Sequence, residues 1–179
     1  MGRMRSIAAS HCILEPQVAA HAAEMLRVLG DPAIYEFENE PPESLASLAR
    51  RYERLERRAS ADGREQWLNW VVRLPGGELA GYVQATVLPS GTAQVAYELN
   101  SRHWRQGIGS SAVRAMMDEL RTEYGVRTFV AVLKATNFRS EALLRGLGFA
   151  AADDELEALH RDEPDERVMV KAAGAPGAA

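Results

Sequence analysis

A short basic segment with two glycines has residue types that suit the binding of an anion. It runs from His103 to Ser111 and its sequence is His-Trp-Arg-Gln-Gly-Ile-Gly-Ser-Ser. The first N–H groups of a helix have no intrahelical partner, and the helix dipole favours negative charge there. Gly107 and Gly109 lack a Cβ, which lets the backbone approach a ligand closely, and Arg105 adds a charge suited to phosphate. The segment predicts a site for a phosphate or pyrophosphate group.

This glycine segment lacks the features of two common nucleotide-binding motifs. Gly-Ile-Gly is only part of the dinucleotide fingerprint, and no acidic residue closes a strand about 20 residues later. The Gly-Lys-Ser/Thr of a P-loop is also missing. Taken alone, the segment is equally compatible with an ordinary turn from a strand into a helix.

The histidines and the one cysteine show no metal-binding or nucleophile pattern. The four histidines have no ligand spacing and no His-Glu-x-x-His motif: His11, His21, His103 and His160. Cys12 is distant in sequence from the glycine segment, so no Cys–His pair can be argued, and we expect a buried thiol. No metal is expected.

Hydrophobic periodicity predicts the elements that position these residues. Strands are predicted over 12–14, 67–73, 79–87, 93–99, 128–133 and 167–171, with a short one after 148–149. Helices are predicted to begin at Pro16 and at Pro42, and to span 110–124 and 139–146, whereas 153–165 is predicted to be an acidic loop. Short turns make the strands 67–73, 79–87 and 93–99 an antiparallel meander. The strand–helix–strand order over 93–133 predicts a parallel pair.

Composition limits the class of protein. The chain has 179 residues, of which 46% are hydrophobic and 26% charged, with a formal net charge of −4. These values predict one globular domain over 1–171, with a disordered tail over 172–179. The sequence has no basic face of the kind that binds nucleic acids, so nucleic-acid binding is not expected. No apolar stretch approaches the ~20 residues of a membrane span, and a signal peptide is not expected. We expect a cytoplasmic protein, and a homodimer is left as an open alternative.

A second motif changes the interpretation of the glycine segment. Residues 137–149 have the sequence Asn-Phe-Arg-Ser-Glu-Ala-Leu-Leu-Arg-Gly-Leu-Gly-Phe. Together with the glycine segment one strand earlier, this motif resembles the GNAT acetyltransferase superfamily. Residues 31–35 and 81–83 also fit, and the resemblance is strongest to the Rim-type branch, which acetylates the N-termini of ribosomal proteins. It covers about residues 12–171.

The resemblance implies a fold and a cofactor. The fold is α/β (α+β) and GNAT-like, with a mixed, mostly antiparallel sheet that is splayed between its fourth and fifth strands and has helices on both faces. The backbone near Leu99 would pair with the pantetheine arm of acetyl-CoA, and Asn137 would hydrogen-bond that arm. The pyrophosphate would be bound by the amides of Arg105, Gln106, Gly107, Ile108, Gly109 and Ser110.

Two positions depart from the family pattern. The usual Arg or Gln three residues before the first glycine is Trp104, so Arg105 or the backbone alone must hold the phosphates. The tyrosine that many members carry seven residues after the asparagine, as proton donor to the CoA thiolate, is Leu144. Ser140 lies four residues before Leu144 on the same helical face and is the predicted replacement, although it is equally suited to satisfy local backbone groups.

Acyl transfer to an amine also needs a base and an acceptor site. Glu98, at the end of the fourth strand, is the first candidate base, and a backbone N–H of that strand is the expected oxyanion donor. The acidic, aromatic connector that follows Asp31 is expected to line the acceptor pocket with two strand residues. The candidates are Tyr35, Glu36, Glu38, Glu40, Trp67 and Asn69.

The resemblance implies an acetyl-CoA-dependent N-acetyltransferase that works by direct attack in a ternary complex. The acceptor is a primary amine, either a protein or peptide N-terminus or a small molecule. A closed aromatic and acidic pocket would favour a small amine, and an open cleft would favour a peptide. A non-catalytic acyl-CoA-binding or sensor module stays open as the alternative because of Leu144.

Overall fold

Eight strands form a single mixed sheet in the computed structural model, which describes residues 4–174. The strand order is β1-β2-β3-β4-β5-β6-β8-β7, and every neighbouring pair is antiparallel except β5 and β6. The strands are β1 (Ile7–Ala8), β2 (Ile13–Pro16), β3 (Gln66–Arg73), β4 (Leu79–Val87), β5 (Thr92–Leu99), β6 (Thr128–Lys134), β7 (Ala150–Ala151) and β8 (Glu166–Ala172). The predicted meander and the predicted parallel pair are both confirmed.

Five helices cover the two faces of this sheet. They are α1 (Ala22–Val28), α2 (Leu45–Leu55), α3 (Ile108–Glu123), α4 (Phe138–Gly146) and α5 (Asp154–His160). Short 3₁₀ turns occur at Pro32–Tyr35 and Ser101–His103. Within residues 4–174 no helix has the length and apolar character needed to span a bilayer.

Alternation along β5 assigns its side chains to opposite faces of the sheet. Val95 and Leu99 are buried in the core that contains α3, and Tyr97 packs against the same core. Tyr82, which pairs with Glu98 in the register of β4 and β5, is buried in the second core with α1 and α2. Tyr97 and Glu98 therefore point to opposite faces.

The two parallel strands separate soon after they begin to pair. The ladder between β5 and β6 covers only Thr92–Thr128, Ala93–Phe129 and Gln94–Val130. From Val95 onward, β5 has no ladder partner on the side of β6 within the described residues. The predicted splay between these strands is thus confirmed, and it leaves an open gap beside the C-terminal half of β5.

Two predicted helix starts were wrong. Pro16 ends β2 instead of opening a helix, and it is tolerated there because β1 pairs only with Ile13 and Leu14. The helix predicted to begin at Pro42 begins at Leu45, because Ser44 caps it.

The predicted acidic loop contains α5. The Asp153 side chain accepts from Leu156 N–H at 2.9 Å, and acidic residues in the first turn favour a helix. At the predicted tail, Ala172 ends β8, and residues 175–179 lie outside the described residues.

Candidate functional site

The segment between β5 and α3 presents a row of unpaired backbone donors. Arg105 and Gly107 both have positive φ, 61° and 76°, and Gly107 is the N-cap of α3. The first intrahelical bond is donated by Ser111 N–H to Gly107 O at 3.0 Å. Within residues 4–174, no N–H from Arg105 to Ser110 donates to a protein acceptor. Such a run of free N–H groups at a helix start is suited to bind an anion.

The two glycines of this segment have different roles. Gly107 allows the backbone to turn here, because its φ of 76° is a conformation that residues with a side chain rarely adopt. A Cβ on Gly109 would instead lie 3.0 Å from Cδ1 of both Leu99 and Leu143. The expectation that Gly109 serves close ligand approach is therefore revised, since its missing Cβ lets α3 pack against β5 and α4.

Side chains from two parts of the chain lie near these donors, and one of them was not expected. Arg105 is exposed, and Gln106 Nε2 donates to the Arg102 carbonyl at 2.8 Å. His11 of the β1–β2 loop donates its backbone N–H to Ser111 Oγ at 3.2 Å, and its ring lies 3.6 Å from the place of a Cβ on Gly107. The loop is 100 residues away in sequence, so no local pattern could have indicated it.

Trp104 hydrogen-bonds the edge of β5 that borders the gap. Asn100 N–H donates to Ala80 O on β4, so the N–H and C=O of Leu99 face the other way, toward the gap. Trp104 Nε1 donates to that Leu99 carbonyl at 2.8 Å. The indole therefore holds one acceptor on the strand edge that is predicted to pair with the pantetheine arm.

The start of α4 lies on the opposite side of the gap. Asn137 is its N-cap, and Asn137 Oδ1 accepts from Ser140 N–H at 3.0 Å. The Ser140 hydroxyl oxygen lies 2.7 Å from the hydroxyl of Tyr97 on β5. Leu144 is 1% exposed and belongs to the core. The sequence indicated Ser140 as a replacement for the tyrosine missing at position 144, but it gave no sign that Tyr97 is its partner.

Glu98 lies on the other face of β5 in a polar, half-buried site. Asn39 Nδ2 donates to its carboxylate at 3.3 Å, and Tyr82 lies opposite Glu98 in the register of β4 and β5. Burial raises the pKa of Glu98 above the ordinary value of a glutamate, and the interactions with Tyr82, Arg51 and Asn39 only partly oppose it. A carboxylate whose pKa is raised toward neutral pH is suited to accept a proton from an amine.

Two of the predicted acceptor residues lie near Glu98. The Tyr35 hydroxyl donates to Leu29 O at 2.7 Å, and burial followed by the charge of Glu98 raises the Tyr35 pKa. Burial also raises the Glu38 pKa, which a hydrogen bond from Asn137 opposes. Glu38 precedes Asn39, whose side chain donates to Glu98, so this part of the connector lies near Glu98.

The other predicted acceptor residues are more distant from Glu98. Trp67 pairs with Thr86 and Asn69 with Gln84, two strands away from β5 and in other rows of the sheet. Strand spacing puts Trp67 about 17 Å from Glu98. Asn69 is 3% exposed, and the Trp67 Nε1 donates to Glu65 at 2.9 Å. Glu40 is exposed on the connector.

Arg139 ties the connector to α4 at the mouth of the gap. Its guanidinium lies 4.9 Å from the centroid of the Trp104 ring, 5.4 Å from that of Phe37 and 5.0 Å from that of Phe138. It also forms an ion pair with Glu36. Glu36, predicted to line the acceptor pocket, is instead paired with this arginine.

Metal-ligating and nucleophilic groups do not converge at the gap. In the described part of the chain, no group of three or more His, Cys, Asp or Glu residues could hold a metal ion. Cys12 is 4% exposed in the α3 core, and burial raises the pKa of its thiol.

Comparisons with known proteins agree with this geometry. A family model described as "Acetyltransferase (GNAT) domain" matches residues 11–150. A search of curated proteins found no match.

Solved structures with the same fold include three acetyltransferases. RimL, a ribosomal L7/L12 alpha-N-protein acetyltransferase in complex with coenzyme A, has a TM-score of 0.78 and 18% identity, over 93% of this chain and 97% of that one. The ribosomal-protein-S5-alanine acetyltransferase from Vibrio fischeri has a TM-score of 0.75 and 18% identity, over 94% and 96%. The microcin C7 self-immunity acetyltransferase MccE, in complex with acetyl-CoA and AMP, has a TM-score of 0.74 and 18% identity, over 91% and 93%.

Proposed function

The chain belongs to the GNAT acetyltransferase family, and from that premise we propose that it transfers an acetyl group from acetyl-CoA to a primary amine. One observation carries the proposal. The unpaired edge of β5 leads to the free N–H groups between Arg105 and Ser110, and Glu98 lies beside that same edge. The pantetheine arm, the phosphates of acetyl-CoA and the base Glu98 would then lie next to one another.

The described residues fit acetyl-CoA on two independent counts. The free N–H groups supply donors for a pyrophosphate, and the exposed Arg105 supplies a charge beside them. The edge of β5 from Val95 to Leu99 offers strand hydrogen bonds to the amide-containing pantetheine arm. Asn137, at the other side of the gap, would hydrogen-bond that arm. Bound there, acetyl-CoA would supply a thioester carbonyl as the electrophile.

Glu98 is the proposed base on the acceptor side. A protonated amine is not a nucleophile, and the reference pKa of a peptide N-terminus is about 7.7–8. Glu98 would take the proton directly or through a water, since its pKa is raised by burial. A gap-facing N–H of β5, such as that of Leu99, would stabilise the developing oxyanion.

Ser140 is the proposed hydrogen-bond donor to the departing sulfur. It lies across the gap from Glu98, on the face of the sheet that carries α3 and α4. A base and a leaving-group donor on opposite faces permit the amine to attack from one face while the thiol leaves on the other. Cys12 is buried, so direct attack in a ternary complex is proposed instead of an acyl-cysteine intermediate.

A peptide N-terminus is the favoured acceptor over a small amine. Gln94 and Ala96 share the face of Glu98 and are exposed, so the sheet surface beside the base is open instead of enclosed. Tyr35 and Glu38 border the same surface and suit a cationic amine. The fold shared with RimL and the S5-alanine enzyme, together with the Rim-type motifs, supports this choice.

Thiol release from acetyl-CoA across an amine panel tests the proposal. The panel contains short peptides with free N-termini, the same peptides with blocked N-termini, and small polyamines and aminoglycosides. We expect release only with free amines, faster with peptides, and a product mass increased by one acetyl group. Tight acetyl-CoA binding without transfer to any amine would contradict the enzyme and favour the alternative, a non-catalytic acyl-CoA sensor, which Leu144 keeps under consideration.

A further inference from the structure

Tyr97 and Ser140 form a hydroxyl pair that spans from β5 to α4 across the gap. We propose that Tyr97 is a positioning residue, which turns the Ser140 hydroxyl so that its proton points at the sulfur of CoA. The inference rests on the proposed function and assigns a task to a residue outside the motifs. It also explains how the chain works with leucine at position 144.

Hydrogen-bond geometry allows two arrangements of the two hydroxyl protons. The Tyr97 oxygen lies 2.7 Å from Ser140 Oγ and 3.3 Å from the Ser140 carbonyl oxygen. If Tyr97 donates to Oγ, the serine proton is free to point into the gap. If Ser140 donates to Tyr97, the tyrosine proton turns to the carbonyl and none is left for the ligand. Negative charge developing on sulfur favours the first arrangement.

The environment of Tyr97 keeps its proton in place. Burial raises the pKa of Tyr97 to about 12, although the hydrogen bond with Ser140 opposes the change. The phenol is therefore a donor throughout the pH range in which an amine would be acetylated. The Ser140 N–H is already held by Asn137 Oδ1 at 3.0 Å, which fixes the backbone on which the hydroxyl rotates.

Proton balance limits both hydroxyls to a positioning and relay task. Attack forms the C–N bond, and collapse breaks the C–S bond with its electron pair going to sulfur. One amine proton goes to the base and the second must reach the sulfur. The reference pKa of a cysteine thiol is about 8.5. A phenol at about 12 would therefore lose its proton to the thiolate with an equilibrium constant of about 1/3000.

Ser140 accordingly relays the second amine proton, which reaches Oγ through solvent water in the gap while Ser140 gives its own proton to sulfur. Tyr97 donates to Oγ throughout and loses no proton. Each hydroxyl ends the step protonated, and the products are the amide and the free thiol of CoA.

The test is a double-mutant cycle on Tyr97→Phe and Ser140→Ala. We expect Tyr97→Phe to lower kcat about 5–10-fold in the chemical step, with an acetyl-CoA KM changed less than about twofold. Ser140→Ala should lower kcat about 10–100-fold. In the Ser140→Ala background, Tyr97→Phe should have no further effect on kcat, because it acts only through Ser140.

Single-turnover rates isolate chemistry, and Tyr124→Phe at the end of α3 is the matched control, with unchanged kcat expected. Thermal unfolding of each variant checks the fold. An equal loss of kcat from Tyr97→Phe in both backgrounds would overturn the inference while leaving the acetyltransferase in place. So would a loss confined to KM. A wild-type chain that acetylates no amine would overturn the proposed function, and the inference with it.

Discussion

The two faces of the sheet meet at the gap between β5 and β6, and they carry polar groups of different origin. On the α3–α4 face, the polar groups are mainly backbone N–H donors between Arg105 and Ser110, with one hydroxyl pair. On the α1–α2 face, they are side chains that meet other side chains, since Glu98 accepts from Asn39 and lies opposite Tyr82. The α3–α4 face suits a ligand that is always the same, acetyl-CoA. On the α1–α2 face, the side chains can differ according to the acceptor.

The comparison teaches how one fold separates the two substrates. Backbone donors at a helix start depend on the conformation of a few consecutive residues. A buried carboxylate depends on partners from β4, β5 and the connector, which meet only after folding. Substitutions on the α3–α4 face should therefore lower the affinity for acetyl-CoA. Substitutions on the α1–α2 face should lower turnover.

Gly107→Asp should have the largest effect on acetyl-CoA binding. It introduces a carboxylate among the proposed phosphate donors, at a φ of 76°. We expect Kd to rise more than about 1000-fold, or about 4 kcal/mol, in calorimetric titration with acetyl-CoA.

Gly125→Asp is the matched control, because Gly125 has a φ of 65° with no atom near its missing Cβ. It lies at the far end of α3, about 27 Å from Gly107 along the helix. Equal losses of affinity in both variants would trace the effect to folding and remove the phosphate site from this turn.

Glu98→Gln should affect turnover and leave acetyl-CoA affinity within about twofold. Loss of a general base lowers kcat about 100-fold or more. Because burial raises the Glu98 pKa, the acid limb of the wild-type pH–rate profile should lie above the ordinary glutamate value of about 4.3. The variant should lose that limb. Glu43→Gln, at an exposed position just before α2, is the control, and a limb that persists in Glu98→Gln would remove Glu98 as the base.

The same substitution has an expected sign in stability. A carboxyl whose folded pKa is raised binds its proton more tightly when folded. The wild-type chain therefore loses stability as pH rises from the ordinary glutamate pKa to the raised folded value. Glu98→Gln has no such loss, so its Tm at pH 7 should equal or exceed that of the wild type in thermal unfolding by circular dichroism. A clearly lower Tm would show that the charged form is stabilised by the fold.

Trp104→Phe should have the smallest effect of these substitutions. It tests whether the Leu99 carbonyl at the edge of β5 takes part in binding acetyl-CoA. The change keeps an aromatic ring beside Arg139 but removes the hydrogen bond to Leu99 O. If the pantetheine arm uses that carbonyl, acetyl-CoA should bind about 2–10-fold more tightly, because no donor competes for it. Weaker binding would instead mean that the indole holds the strand edge in its binding conformation.

The α3–α4 face was largely predictable because its determinants are local. Gly107 before an amphipathic run, and Asn137 three residues before Ser140, are short-range patterns that set backbone conformation wherever they occur. The strand boundaries of the meander followed from periodicity for the same reason. Local patterns failed where a proline or an acidic run had two uses, at Pro16, Pro42 and 153–165.

By itself, the sequence determined the strands of the meander and the backbone turn at Gly107, because each depends on residues that are close in the chain. The gap between β5 and β6 was expected only from the family resemblance, and β1 was not predicted. Tertiary structure alone decided that Tyr97 meets Ser140, 43 residues away, and that His11 reaches the start of α3. It also decided that the missing Cβ of Gly109 serves packing and that Trp104 holds Leu99. Side-chain partners across strands depend on register and packing, which no short-range pattern encodes.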